Sequence, residues 1–127
     1  MRVILVRHAK AEKGHPDDAR PLTASGHEAA RLLGELLAER QPDAVVSSPL
    51  VRARETAEAL AKAAGVELEI DERLAPGATV EDLRAAVAGR GQTVIAVGHQ
   101  PDCGEIVLEL TGREVSFPTA GFAEIDV

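Results

Sequence analysis

Residues 2–6 read Arg-Val-Ile-Leu-Val, and Arg7, His8 and Ala9 follow directly. An unbroken run of β-branched and aliphatic side chains, with no polar alternation, is the pattern of a strand covered on both faces. The pattern returns in Asp43–Ser47 (DAVVS) and in Thr93–Val97 (TVIAV). Helical spacing fills the intervals. Ala29, Leu32, Leu33, Leu36 and Leu37 recur on one helical face, with Thr23 or Ser25 as a cap and Ser25 and Glu28 spaced as a capping box. Ala53, Ala57, Leu60, Ala61 and Ala64 mark a second helix that Gly65 ends. Residues 66–70 alternate as a half-exposed strand. Thr79 opens a short helix carrying Val80, Leu83 and Val87, and Cys103, Ile106, Val107 and Leu110 give a fourth its apolar stripe, with Gly112 as its stop. Val115, Phe117, Phe122 and Ile125 suggest one or two final strands. Strands alternating with helices predict a single α/β domain over residues 1–127, a three-layer sandwich with a mostly parallel central sheet and helices on both faces.

Composition narrows the function classes. Hydrophobic residues make up 45% of the 127 residues, enough for a core, but aromatic residues are only 2%. No set of aromatic side chains exists on which bases could stack, and the formal net charge of −7 is a poor footprint for nucleic acid or an anionic membrane. A few local arginines can still make one pocket positive. The single cysteine, Cys103, excludes an intramolecular disulfide and a cysteine-based zinc site. No apolar run approaches the roughly 20 residues of a membrane helix, and no charged, apolar leader opens the chain. These features predict a cytoplasmic protein, monomeric in the absence of a large exposed apolar stripe, and nothing in the sequence calls for a cofactor.

In open α/β sheets, ligands bind beyond the carboxyl ends of the strands. Each of the three apolar strands ends in groups suited to phosphate. The first ends in Arg7-His8, a planar fork of donors beside an imidazole able to act as a nucleophile. The second ends in Ser47-Ser48-Pro49, and the helix after it opens with Arg52, whose first turn brings a positive dipole to the same edge. Arg54, two residues on, points elsewhere. The third ends in Gly98-His99-Gln100-Pro101, at the mouth of another helix. Taken singly, each has a plain reading: a chance pair, a solvated arginine, a capping histidine. Two arginines and two histidines at one sheet edge make the joint reading, a phosphate site, the better one.

These motifs resemble those of the histidine phosphatase superfamily, which includes phosphoglycerate mutases and many phosphatases. The resemblance rests on LVRHA at 5–9, RPLTASGHEAARLL at 20–33, SSPLVRARETA at 47–57 and VGHQP at 97–101. The short length and RPLT point to its SixA-type phosphohistidine phosphatase branch. The resemblance implies that His8 is the nucleophile and forms a covalent phosphohistidine. It further implies that Arg7, Arg52 and His99, with Gln100, bind the phosphoryl oxygens, and that no metal takes part. His27 and His15 match no catalytic position and read as helix-face and loop residues.

The chain departs from the family pattern twice. Ala9 stands where the family usually has glycine, a mild change if the backbone φ there is ordinary. The general acid is the larger gap. Many relatives carry a glutamate in a Leu-x-Glu pattern after the strand near residue 70, but here Leu74-Ala75 is followed by Pro76. Asp71 and Glu72 are the nearest candidates, out of register. An imidazole leaves phosphorus more readily than an alkoxide, so a weak acid position fits phosphohistidine on a partner protein better than a sugar phosphate. The open alternatives are a phosphomonoesterase acting on a small phosphate ester and a non-catalytic module that binds phosphorylated groups. The second is disfavoured by the presence of both His8 and His99. A Rossmann-type nucleotide fold is discounted because no glycine-rich phosphate loop follows the first strand.

Overall fold

A computed structural model describes all residues, 1–127. Five strands, β1 (Arg2–Arg7), β2 (Ala44–Ser47), β3 (Leu68–Ile70), β4 (Thr93–Gly98) and β5 (Phe122–Asp126), form one sheet in the order β3-β2-β4-β1-β5. β1, β4, β2 and β3 pair in parallel; β5 closes one edge antiparallel to β1. Four helices, α1 (Ala24–Ala38), α2 (Val51–Ala64), α3 (Val80–Val87) and α4 (Asp102–Thr111), complete the chain. The fold is thus the mostly parallel α/β sandwich expected. No helix is long and apolar enough to cross a membrane.

The strand period of two sorts the side chains onto two faces. Ile4 and Val6 of β1, Val45 of β2 and Ile95 and Val97 of β4 pack with Leu33 and Leu37 of α1 and Ala53, Ala57 and Leu60 of α2. Val3, Leu5, Val46, Val94 and Ala96 pack on the other face with Leu83 and Val87 of α3 and Ile106 and Val107 of α4. Both faces of the central strands are covered, so their uniformly apolar runs are explained.

The sequence pattern of α1 needs correction. Its inward stripe is Gly26, Ala30, Leu33, Gly34 and Leu37, whereas Leu32 and Leu36 are about half exposed. Small residues face inward because α2 approaches closely: a Cβ on Gly34 would lie 3.0 Å from the Ala59 carbonyl oxygen and from the Ala63 Cβ. Thr23, not Ser25, is the N-cap, with its side chain accepting from the Gly26 amide. The tail holds one strand, β5; Val115 and Phe117 lie in the irregular segment before it, where Phe117 is buried.

Candidate active site

Strand register brings the chemistry together. Arg7 pairs with Gly98 across β1 and β4, and Ser47 pairs with Val97 across β2 and β4. The neighbouring strands therefore end within a residue of one another, and the residues just beyond them are His8, Ser48 and His99. Backbone bonds extend the ladder past the strand ends, His8 N–H donating to the Gly98 carbonyl and Ser48 N–H to that of Val97. The helix after β2 then adds Arg52 from its first turn.

A cleft of about 400 Å³ opens at this edge, lined by Arg7, His8, Arg52, His99 and Gln100 together with Lys10, Asp17, Arg20, Pro76 and Thr119. The residues singled out at the three strand ends thus share one cavity. Arg7 is anchored by its Nη1, which donates to the Phe117 carbonyl at 2.9 Å. Arg52 is almost fully buried and donates to the Asp17 carbonyl at 2.8 Å and to the Asp17 carboxylate at 3.2 Å. Three buried nitrogens in this group have no protein partner: Nε of Arg7, Nε of Arg52 and Nδ1 of His99. A buried donor without an acceptor costs about 1–3 kcal/mol. All three belong to residues that line the cleft, and the guanidinium forks gathered there suit the oxygens of a tetrahedral oxyanion.

The two imidazoles are neighbours, 5.3 Å apart between ring centroids and tilted by 55°. His8 Nδ1 lies 2.7 Å from the Ala9 carbonyl oxygen. A carbonyl can only accept, so Nδ1 carries the proton and Nε2 keeps its lone pair. Burial pulls His8 down to about 4, and the charges of Arg52, Arg7 and Arg20 act in the same direction against the Ala9 hydrogen bond. Burial, followed by the neighbouring His8 and Arg52, pulls His99 down to about 4 as well. Both rings are neutral at pH 7, and His8 presents an unprotonated nitrogen.

The backbone of Ala9 does not have the positive φ that would require glycine, so the change from glycine costs no strain there. Its N–H donates to the Thr56 hydroxyl at 3.0 Å, and that hydroxyl donates to the Arg52 carbonyl at 2.8 Å. Thr56 thereby ties the segment after His8 to the helix that carries Arg52. On the other side, Ala120 donates its N–H to the His8 carbonyl from a left-handed conformation (φ 60°), which is strained for a residue with a side chain.

The acid candidates require a correction. Asp71 is turned into a bidentate pair with Arg73, at 3.0 and 2.8 Å, and also caps the short turn after β3. The Arg73 hydrogen bonds hold its carboxyl below the usual range, so it has no proton to give near neutrality. Glu72 is exposed, and neither residue lines the cleft. Pro76 does line it, held there by Asp102, whose carboxylate accepts from the amides of Gly77 and Ala78. Gln100 lines the cleft, but its side-chain oxygen is committed to the Gly104 amide in α4, leaving only its NH₂ free to donate. Sequence reasoning missed Asp17, Thr56 and the part played by Ser48, whose hydroxyl lies 2.7 Å from His99 Nε2. Only Ser48 and Thr56 carried a signal, each being a hydroxyl within a turn of Arg52 in sequence.

No grouping of three or more His, Cys, Asp or Glu side chains is arranged to hold a metal ion, so the positive charge of the cleft comes from its arginines and Lys10. Comparison with known proteins agrees with the geometry. The family model described as histidine phosphatase superfamily (branch 1) matches residues 3–77. A SixA phosphohistidine phosphatase homologue of Haemophilus influenzae is 33% identical over 98% of this chain and 87% of its own length. The crystal structure of the putative phosphohistidine phosphatase SixA from Agrobacterium tumefaciens superposes with a TM-score of 0.84 at 31% identity, covering 98% of this chain and 90% of that one. A protein histidine phosphatase SixA complexed with tungstate gives 0.87 at 28% identity, covering 100% of this chain and 88% of that one. The chain belongs to the histidine phosphatase superfamily, and within it to the SixA-type branch.

Proposed function

We propose that this protein removes the phosphoryl group from phosphohistidine on a partner protein, in two steps through a covalent intermediate on His8. The observation that carries the reading is the set of three unpartnered buried nitrogens on residues lining the same cleft as the free Nε2 of a neutral His8. In the first step Nε2 attacks phosphorus in line with the leaving nitrogen. Arg7, Arg52, His99 and the NH₂ of Gln100 hold the equatorial oxygens as charge shifts among them, which is the main demand of phosphoryl transfer. Ser48 assists: its oxygen accepts from the Leu50 amide at 3.2 Å and lies 2.7 Å from His99 Nε2, which fixes the ring; in the tautomer in which the Ser48 O–H donates to Nε2, His99 Nδ1 carries the proton and is a further donor. In the second step water displaces His8 and releases inorganic phosphate.

The preference for phosphohistidine over an alkyl phosphate rests on Pro76 occupying the cleft wall where an acid would be needed, with Asp71 and Glu72 outside it. An alkoxide leaving group gains much from a proton donor; an imidazole does not need one. The names of the relatives point the same way, and tungstate, found with one of them, is a tetrahedral oxyanion. The test is single-turnover reaction with ³²P-labelled phosphohistidine protein, followed by quenching. Alkali-stable, acid-labile label that migrates with this enzyme, resolved by size from the labelled substrate protein, and that is absent from His8→Ala is the expected result. A His8→Ala variant with undiminished turnover would overturn the reading.

A further inference from the structure

Asp17 is the one carboxylate among the residues lining the cleft. It sits on the single turn Asp17–Ala19 in the polar loop after β1, and its side chain is exposed at the mouth. Its oxygens are held by two cations: Oδ1 accepts from Arg20 Nε at 3.0 Å and Oδ2 from Arg52 Nη2 at 3.2 Å. Arg20 is itself fixed by a bond to the Glu12 carbonyl at 3.0 Å. The Arg52 charge, foremost, keeps the Asp17 carboxyl below its ordinary range, so it is an acceptor throughout the neutral range. This is the wrong protonation state for an acid that assists an alkoxide. It is the right one for accepting an N–H.

Resting on the phosphohistidine reading above, we infer that Asp17 is the residue that selects that substrate, by accepting the ring N–H of the departing imidazole. His8 is largely buried and the Asp17 side chain largely exposed, and both line the cleft, so attack from His8 directs the leaving group outward, toward the side that Asp17 lines. Arg52 Nη2 turns from Asp17 to the phosphoryl oxygens as substrate enters, and the released carboxylate meets the substrate ring. The step balances. The bond from His8 Nε2 to phosphorus forms, the bond from phosphorus to the substrate nitrogen breaks, and its electron pair stays on that nitrogen. A substrate ring protonated on its distal nitrogen leaves as neutral imidazole, with that N–H held by Asp17. In the second step water occupies the same apical position, and Asp17 takes its proton as the oxygen–phosphorus bond forms and the His8–phosphorus bond breaks.

The experiment compares Asp17→Asn and Asp17→Glu with the unaltered protein on two probes, phosphohistidine as the free amino acid and p-nitrophenyl phosphate, whose phenolate offers no N–H. Loss of a charged hydrogen bond predicts that Asp17→Asn lowers kcat/KM for phosphohistidine by about tenfold to a hundredfold. The aryl ester should lose less than about threefold in initial-burst rate, which reports the first step alone, and Asp17→Glu should recover part of the phosphohistidine rate. An equal change on both probes, or none, overturns the inference. His8→Ala serves as the separate control: if it is inactive while Asp17→Asn keeps the wild-type ratio of the two probes, the assignment of Asp17 fails and the proposed function stands.

Discussion

The His8 side chain combines three local causes that together make it reactive. The Ala9 carbonyl fixes its tautomer, burial strips its water, and neighbouring cations oppose its protonation. Only the neutral ring attacks, so activity should persist well below the ordinary histidine pKa of about 6.5 and fall as pH drops through about 4. The acid limb of kcat/KM for p-nitrophenyl phosphate locates this value, after allowance for the ester's own second ionisation. A limb fixed near 6.5 with the ester's ionisation removed would contradict it. The same shift bears on stability with a definite sign. The folded pKa of His8 and His99 lies below the unfolded one, so between pH 6.5 and 4 the unfolded chain binds more protons. Stability is therefore expected to fall as pH falls through that window, by up to a few kcal/mol. Urea unfolding at pH 7 and pH 5 measures the drop, and His99→Gln, which cannot titrate, should reduce it.

Elements carry the site through close approach, and glycine is what permits it. A Cβ on Gly26, in the first turn of α1, would fall 2.1 Å from the Lys10 carbonyl oxygen, two residues beyond His8. That carbonyl also accepts from the Thr23 amide at 2.9 Å, so it is pinned from the same side. Gly26→Ala gains about 1 kcal/mol in helix propensity but must push backbone against backbone, and the clash prevails. It should destabilise the fold by about 1–3 kcal/mol and reduce turnover along with it; a thermal melt and a p-nitrophenyl phosphate assay check both. The helix also shows where sequence reading stopped. Period and β-branching made β1, β2 and β4 legible, because a strand covered on both faces announces itself by the absence of alternation. Those strands carried Arg7, His8 and His99 with them. The inward stripe of α1 was misread because hydrophobicity counts Leu32 and Leu36 but cannot register that Gly34 lets α2 come near. Asp71 follows β3 out of register with the family's acid, where sequence alone leaves a surface charge and a proton donor both open; its pair with Arg73 turns it away from the cleft. Asp17 lies in a loop, where no period exists to say which way a side chain faces.

At the scale of the whole molecule, the site is a local reversal of charge. The chain carries −7 overall, yet four of its 14 basic residues (Arg7, Lys10, Arg20 and Arg52) line one cleft. Gathering them there, with unpartnered donors, works against folding until an anion arrives. The empty site and the filled site should then respond oppositely to removing a charge. An oxyanion that binds only the folded state adds RT ln(1 + [L]/Kd), about 2.7 kcal/mol at a hundred times Kd, which for a domain of this size raises Tm by on the order of 10 °C. Tungstate or vanadate is the suitable probe. Arg52→Met keeps much of the buried side-chain volume while removing the charge and the Asp17 pair, so without anion its Tm should stay within a few degrees of the unaltered protein or exceed it. With saturating tungstate the unaltered protein should rise while Arg52→Met stays flat. A variant that melts far lower without anion yet still gains the full tungstate shift would mean that Arg52 serves packing, and that the oxyanion is held elsewhere.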